Sequence, residues 1–320
     1  MRSSPNETKS SRSPLIGGVA LASLGIAAWT AVRARRAERD YPPTGQFIEV
    51  DGVRLHYFDK GEGPVVVLLH GNLVTAQDFL ACGLFDRLAQ RHRVIAFDRP
   101  GFGFSTRPRD RVWTPQAQAE LFQRALKKMG LARAVIVGQS LGCLVALAMA
   151  LDARIDIRGL TLIAGYYYPN ARADVAISAP AAIPLIGDVM RYTVSPVVAR
   201  LMYDTTVRAM FAPRETPAQF HASVPREIVL RPSQMRATAQ DAAFMIPAAA
   251  AMSGQYHKIA VPVRIFGGSD DAIVDTTSQS GRLSGDIGQS VLSVTPGLGH
   301  MLHYDDAGRI GDAVETMAIE

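Results

Sequence analysis

The chain has 320 residues, 48% hydrophobic and 20% charged, so it can bury the core of an ordinary α/β domain and is not a disordered chain outside its ends. Its net charge of +5 sits at the start: residues 1–40 hold seven Lys or Arg against three acids, and the rest carry only +1. This speaks against nucleic-acid binding, which normally places a basic excess on the folded domain, and two cysteines, Cys82 and Cys143, exclude a disulfide framework or a metal quartet.

Residues 1–13 read as a polar tail. Residues 14–32, PLIGGVALASLGIAAWTAV, carry no charge. At ~1.5 Å rise per residue, this run just spans a ~30 Å hydrocarbon layer. A single-pass membrane anchor is expected here. A signal peptide fits less well, because RARRAERD follows at once without a small-residue cleavage site. Four arginines follow the run within seven residues, against three basic residues in the first thirteen. The positive-inside tendency then favours a cytoplasmic catalytic domain, although exported proteins also begin with basic residues before an apolar run. Residues 33–45, ending in YPPTG, read as a linker.

From residue 46 the pattern becomes short apolar runs alternating with helical periodicity. Residues 47–50 and 53–58 are strand-like around Asp51-Gly52, a hairpin signal. Val65–Leu69 is continuously apolar, as in a strand buried on both faces. Residues 94–97, 135–137, 160–163, 263–266 and 291–294 look alike. A helix over 115–129 starts at Trp113-Thr114-Pro115, where Thr caps and Pro fits the first turn. The expected fold is α/β: a mostly parallel eight-stranded sheet with helices on both faces. Residues 166–257 break the rhythm with repeated prolines and Ala-rich helical pieces. They read as an inserted, mostly helical subdomain between core segments 46–165 and 258–320.

The strongest chemical signal is Gly138-Gln139-Ser140-Leu141-Gly142, with a strand before it and an apolar helical run to Leu151 after it. A serine on a sharp strand-to-helix turn needs small neighbours, and the helix N-terminus favours a developing oxyanion. Such a hydroxyl needs a base, and the base an orienting acid. Gly267-Gly268-Ser269-Asp270-Asp271 follows a strand, so Asp270 and Asp271 both qualify as the acid. His300 lies just past the last strand, with His303 as its rival. A metal cluster of His300, His303 and Asp305 lacks a fuller ligand set. His70-Gly71-Asn72-Leu73 follows the buried strand 65–69. Gly71 lets the backbone turn so that the amide of Asn72 or Leu73 joins that of Leu141 in receiving an oxyanion. Asp98-Arg-Pro-Gly-Phe-Gly-Phe-Ser105 matches neither nucleotide-loop spacing and reads as a tight structural loop.

Together these motifs, over roughly residues 45–318, resemble the capped members of the α/β-hydrolase superfamily. Its acid motif Gly-x-x-Asp-x-x-Val picks Asp271 over Asp270. Its glycine-preceded histidine picks His300 over His303. The resemblance implies a Ser140–His300–Asp271 triad, a cap over the site at 166–257, and no cofactor or metal. Asn72 after His70-Gly71 is also reminiscent of haloalkane dehalogenases, which use an aspartate nucleophile; Ser140 argues against that chemistry. The expected reaction is hydrolysis of an ester-like bond in a small or medium lipophilic substrate. Carbon–carbon bond hydrolysis or perhydrolysis on the same triad, and a non-catalytic binding protein, are the alternatives. Tyr166, Tyr167, Tyr168, Phe244 and Met245 are candidate pocket residues.

Overall fold

A computed structural model describes residues 13–170 and 179–319. Eight strands form one sheet in the order β1-β2-β4-β3-β5-β6-β7-β8. They are β1 (Gln46–Val50), β2 (Val53–Lys60), β3 (Val65–Leu69), β4 (Arg93–Phe97), β5 (Arg133–Gln139), β6 (Asp156–Ile163), β7 (Val263–Gly268) and β8 (Ser290–Thr295). The β1–β2 and β2–β4 pairs are antiparallel and all others parallel. At the hairpin, Asp51 and Gly52 both have positive φ, 50° and 75°, the backbone that joins two twisted strands through two residues.

The helices of the core are α1 (Ser13–Asp40), α2 (Gln77–Ala81), α3 (Leu84–Leu88), α4 (Pro115–Lys128) and α5 (Leu141–Leu151). Between β6 and β7 come α6 (Ile186–Met190), α7 (Val194–Phe211), α8 (Ala218–Ser223), α9 (Arg226–Val229) and α10 (Pro232–Ser253). Helices α11 (Arg282–Asp286) and α12 (Ala307–Ile319) complete the chain. Strand periodicity divides the core into two layers. Val67 and Leu69 of β3 and Ile136 of β5 face the layer of α4 and α5. Val66, Leu68, Val135 and Val137 face the layer of α2, α3 and α12. A third cluster joins Tyr203, Val207, Met210 and Phe211 of α7 to Val74 and Met301, which follow the β3 and β8 loops.

β4 leaves β3 on one side and β5 returns on the other, so the loops after β3 and β5 diverge. Open α/β sheets bind ligands in the crevice this creates.

The expected membrane anchor is corrected. Residues 1–12 lie outside the described residues, and the apolar run falls within α1. Among the described residues, no helix is long and apolar enough to cross a membrane. Nor does the helix end with the apolar run. Residues 33–40, expected in the linker, continue it to Asp40, helped by the good helix formers Ala, Arg and Glu and an Arg36–Asp40 pair at i,i+4. This half lies on the protein. Thr30 and Ala37 are buried. Arg33 pairs with Glu227 at 2.8 Å and Glu38 with Arg231 at 2.8 Å. The Trp29 ring lies under the guanidinium groups of Arg33 and Arg200. With the anchor goes the single-pass localisation and its cytoplasmic orientation.

Helix α4 begins where the Thr114-Pro115 signal sets it: Thr114 Oγ1 accepts from the Ala117 amide at 3.2 Å, and Pro115 stands at the first position. Thr114→Ala is expected to lower the unfolding free energy by about 1 kcal/mol, measured by urea denaturation. An unchanged midpoint would contradict the capping role.

Candidate active site

Ser140 occupies the turn between β5 and α5 with φ 51° and ψ −117°. A non-glycine residue there is strained by ~1–3 kcal/mol and persists only where its surroundings over-determine it. They do so here. The Ser140 amide donates to the Ile163 carbonyl of β6 at 2.8 Å. A Cβ on Gly142 would lie 2.1 Å from the Leu69 carbonyl oxygen, and one on Gly138 would lie 2.8 Å from Cys143 backbone. Only glycines let the first turn of α5 press against β3 and β5 this closely. Gly71 is equally confined: a Cβ there would meet Gln139 Oε1 at 2.2 Å and Ser140 Cβ at 2.9 Å. The loop after β3 thus touches the serine turn.

Ser140 Oγ lies 2.9 Å from His300 Nε2, and His300 Nδ1 lies 2.8 Å from Asp271 Oδ2. If the ring carries its proton on Nδ1, facing the carboxylate, Nε2 is free to accept from the serine hydroxyl. Asp271 is fixed by its own loop: Oδ1 accepts from the amides of Ile273 and Val274 at 2.8 and 2.9 Å. Those two bonds leave Oδ2 for the histidine. Asp270, the other candidate, is exposed and accepts from Ser269 Oγ instead. The Asp271 and His300 loops pack backbone to backbone, since a Cβ on Gly268 would lie 2.1 Å from the Leu298 carbonyl oxygen. On the cap side, a Cβ on Gly299 would clash with the Ala212 carbonyl oxygen.

His303 is turned away and buried, with Nε2 2.8 Å from Asp78 Oδ2; Tyr304 donates to the same carboxylate at 2.8 Å. Its role is to fasten the β8 loop to α2. Among the described residues no group of three or more His, Cys, Asp or Glu is placed to hold a metal. Cys143 lies in the core, its thiol pushed up to about 12 by burial, and is a neutral packing residue.

Asn72, Leu73, Ser140, Leu141, Asp271 and His300 all line one cavity of about 740 Å³. Leu141 is the first residue of α5, so its N–H has no acceptor within the helix. Leu73 has φ 63°, which marks a second constrained turn beside the serine. The opposite wall comes from α7 and α10, with Met202, Met210 and Met245 among its residues. Of the aromatic and methionine candidates, Tyr166 and Met245 line the cavity. Tyr167 and Tyr168 are buried behind it, their amides donating to Gln279 Oε1 at 2.7 and 2.8 Å. The α7 contribution carries no motif: it is small and apolar residues at helical spacing, which any packed helix shows.

The sequence also gave no sign of the group behind the loop after β3. The Arg99 amide donates to His70 Nε2 at 2.9 Å, and His70 Nδ1 faces the Gly71 carbonyl at 2.7 Å. One nitrogen accepts and the other donates, so His70 is held as a single neutral tautomer. Burial, and then the neighbouring Arg99 charge, pushes its pKa down to about 4.

The family model described as alpha/beta hydrolase fold matches residues 64–307. The chain is similar to Haloalkane dehalogenase 2 of Mycobacterium tuberculosis, 30% identical over 129 residues, which are 40% of this chain and 44% of that protein. It is also similar to 2-hydroxymuconate semialdehyde hydrolase of Pseudomonas putida, 35% identical over 127 residues, 39% of this chain and 45% of that protein. The chain thus spans less than half the length of these curated relatives. A structure of a thermophilic esterase from Thermogutta terrifontis matches with a TM-score of 0.67 at 23% identity, over 85% of this chain and 97% of that one. At that identity the likeness is one of fold.

The low pKa of His70 makes stability depend on pH. The unfolded chain, with an ordinary histidine pKa of ~6.5, takes up the proton first as pH falls. Stability is therefore lost between about pH 6.5 and 4, by roughly 3 kcal/mol for a fully buried imidazole. His70→Gln, neutral throughout, is expected to show a shallower fall in unfolding free energy over that window. Identical slopes for the two proteins would contradict the assignment.

Proposed function

The chain belongs to the alpha/beta hydrolase fold family, and from that premise we propose that it is a serine hydrolase that cleaves an ester-like bond in a small or medium lipophilic substrate. The observation that carries the reading is the hydrogen-bonded line Ser140–His300–Asp271 on the wall of a largely apolar cavity. The cavity volume, about 740 Å³, suits a ligand of modest size.

In this reading Ser140 Oγ attacks the carbonyl carbon while His300 Nε2 takes its proton. Asp271 remains a carboxylate, holds the Nδ1–H tautomer and stabilises the imidazolium. The charge on the tetrahedral oxygen is received by the amide of Leu141 and by that of Asn72 or Leu73. His300 then gives its proton to the leaving oxygen, and an acyl group stays on Ser140. In the second half His300 takes a proton from a water whose oxygen attacks the acyl carbon; the bond to Ser140 Oγ then breaks, His300 returns the proton to Oγ, and the acid product leaves. The reaction so written requires no cofactor and no metal. The cap is placed within residues 166–257, of which 171–178 lie outside the described residues: α7 and α10 cover the serine, exclude bulk water and set which acyl or alcohol groups fit.

Ser140→Ala is expected to abolish labelling by a fluorophosphonate probe and to lower turnover of short-chain p-nitrophenyl esters by at least about 10⁴-fold, with the thermal midpoint little changed. Asp271→Asn should lower kcat by about the same order through the wrong tautomer. Labelling that persists in Ser140→Ala would refute the nucleophile.

A further inference from the structure

Arg99 is fully buried, and its side-chain donors face in two directions. On one edge, Nη1 meets Asp241 of α10 and Gln118 of α4, the latter at 3.1 Å. On the other, Nε donates to the His70 carbonyl at 2.8 Å and Nη2 to the Gly71 carbonyl at 2.9 Å. Asp241 is also fully buried, and its second oxygen accepts from Arg107 at 2.8 Å and from Gln118 at 3.3 Å. A third contact runs the same way: Asn72 Nδ2 donates to the Thr238 carbonyl of α10 at 3.2 Å.

The geometry of the peptide gives this arrangement a consequence. The Gly71 carbonyl and the Asn72 N–H belong to one trans peptide unit, so they point in opposite directions. Two donors, His70 Nδ1 and Arg99 Nη2, hold that carbonyl. The N–H of Asn72 is thereby aimed away from Arg99, and Asn72 shares the cavity wall with Ser140. A guanidinium presents its donors in a rigid fork, so fixing one edge fixes the other.

We propose that Asp241 is a positioning residue for the oxyanion site: it orients Arg99, which orients the Gly71–Asn72 peptide, so that the seating of cap helix α10 sets an oxyanion donor. This rests on the serine-hydrolase reading above. A buried guanidinium must find acceptors on both edges; here those of the second edge are the His70 and Gly71 carbonyls, the latter in the same peptide unit as the Asn72 amide. The same fork makes the cap part of the catalytic geometry as well as a cover. Displacement of α10 releases the peptide, and return of α10 restores it.

The test is steady-state hydrolysis of a p-nitrophenyl ester, with rates expressed per active site titrated by fluorophosphonate. Asp241→Asn is expected to lower kcat per titrated site by about 10²-fold. KM should move by less than about threefold, because the donor acts on the transition state. The affinity of a boronic acid, which forms a tetrahedral adduct on the serine, should fall in step with kcat/KM. Arg107→Met removes the other cation on Asp241 and leaves the Arg99 pair, so it should lose stability but keep kcat per site. Should Asp241→Asn not fold, Arg99→Lys is read the same way: it keeps the buried charge and lacks the fork across the two carbonyls. Wild-type kcat per site in either variant overturns the inference, as does an equal loss in Arg107→Met. Wild-type enzyme that takes no fluorophosphonate at Ser140 overturns the serine-hydrolase reading instead.

Discussion

The close approach of α5 to β3 is the constraint from which the site follows. With Gly142 against the Leu69 carbonyl and Gly71 against the Ser140 side chain, no relaxed backbone remains for residue 140. It takes φ 51° and is held there by its hydrogen bond to β6. The hydroxyl is thereby lifted out of the sheet at the point where the loops after β3 and β5 part. Everything else is brought to it: His300 and Asp271 from the ends of β8 and β7, and α7 and α10 as the far wall. The strain at one residue is maintained by close backbone contacts that only glycine at 71, 138 and 142 permits.

Much of this was legible in the sequence, because the signals are local. Asp51-Gly52 marks a turn that only positive φ can close, and Thr114-Pro115 marks a helix start. The run from Val65 to Leu69 is apolar on both faces because both faces are covered. Residue reading alone left Asp270 and Asp271 equal. Their difference is a matter of two amides, those of Ile273 and Val274, which fix one carboxylate and not the other. What stayed illegible is contact across long separations. Arg99 and Asp241 are 142 positions apart; Arg99 stands in the Asp98–Ser105 loop motif, but nothing in that motif points to Asp241. The α1 segment fails for the same reason. Counted alone, an uncharged run suits a membrane; in the fold the helix continues past it and is fastened by Arg33 and Glu38 to residues 227 and 231.

Buried charge also explains why the cap helix is not a loose cover. Burying Arg99 and Arg107 around one carboxylate is tolerable only if each donor finds an acceptor, and the donors reach the carbonyls of the β3 loop, Gln118 and Pro100. The network therefore ties α10 to the loop after β3. By contrast, α7 faces the cavity with methionine and small residues and joins the core through apolar contacts with Val74 and Met301. Apolar packing of this kind is less directional than the Arg99 fork, so α7 is held less specifically than α10.

In the proposed reaction Ser140 carries the acyl group between the two halves. The most direct measurement is rapid acid quench of the enzyme with a p-nitrophenyl ester, followed by peptide mass mapping. The mass of the acyl group is expected on the peptide that contains Ser140, appearing with the first equivalent of p-nitrophenol. Release of p-nitrophenol with no adduct, or with the adduct on another residue, would contradict it.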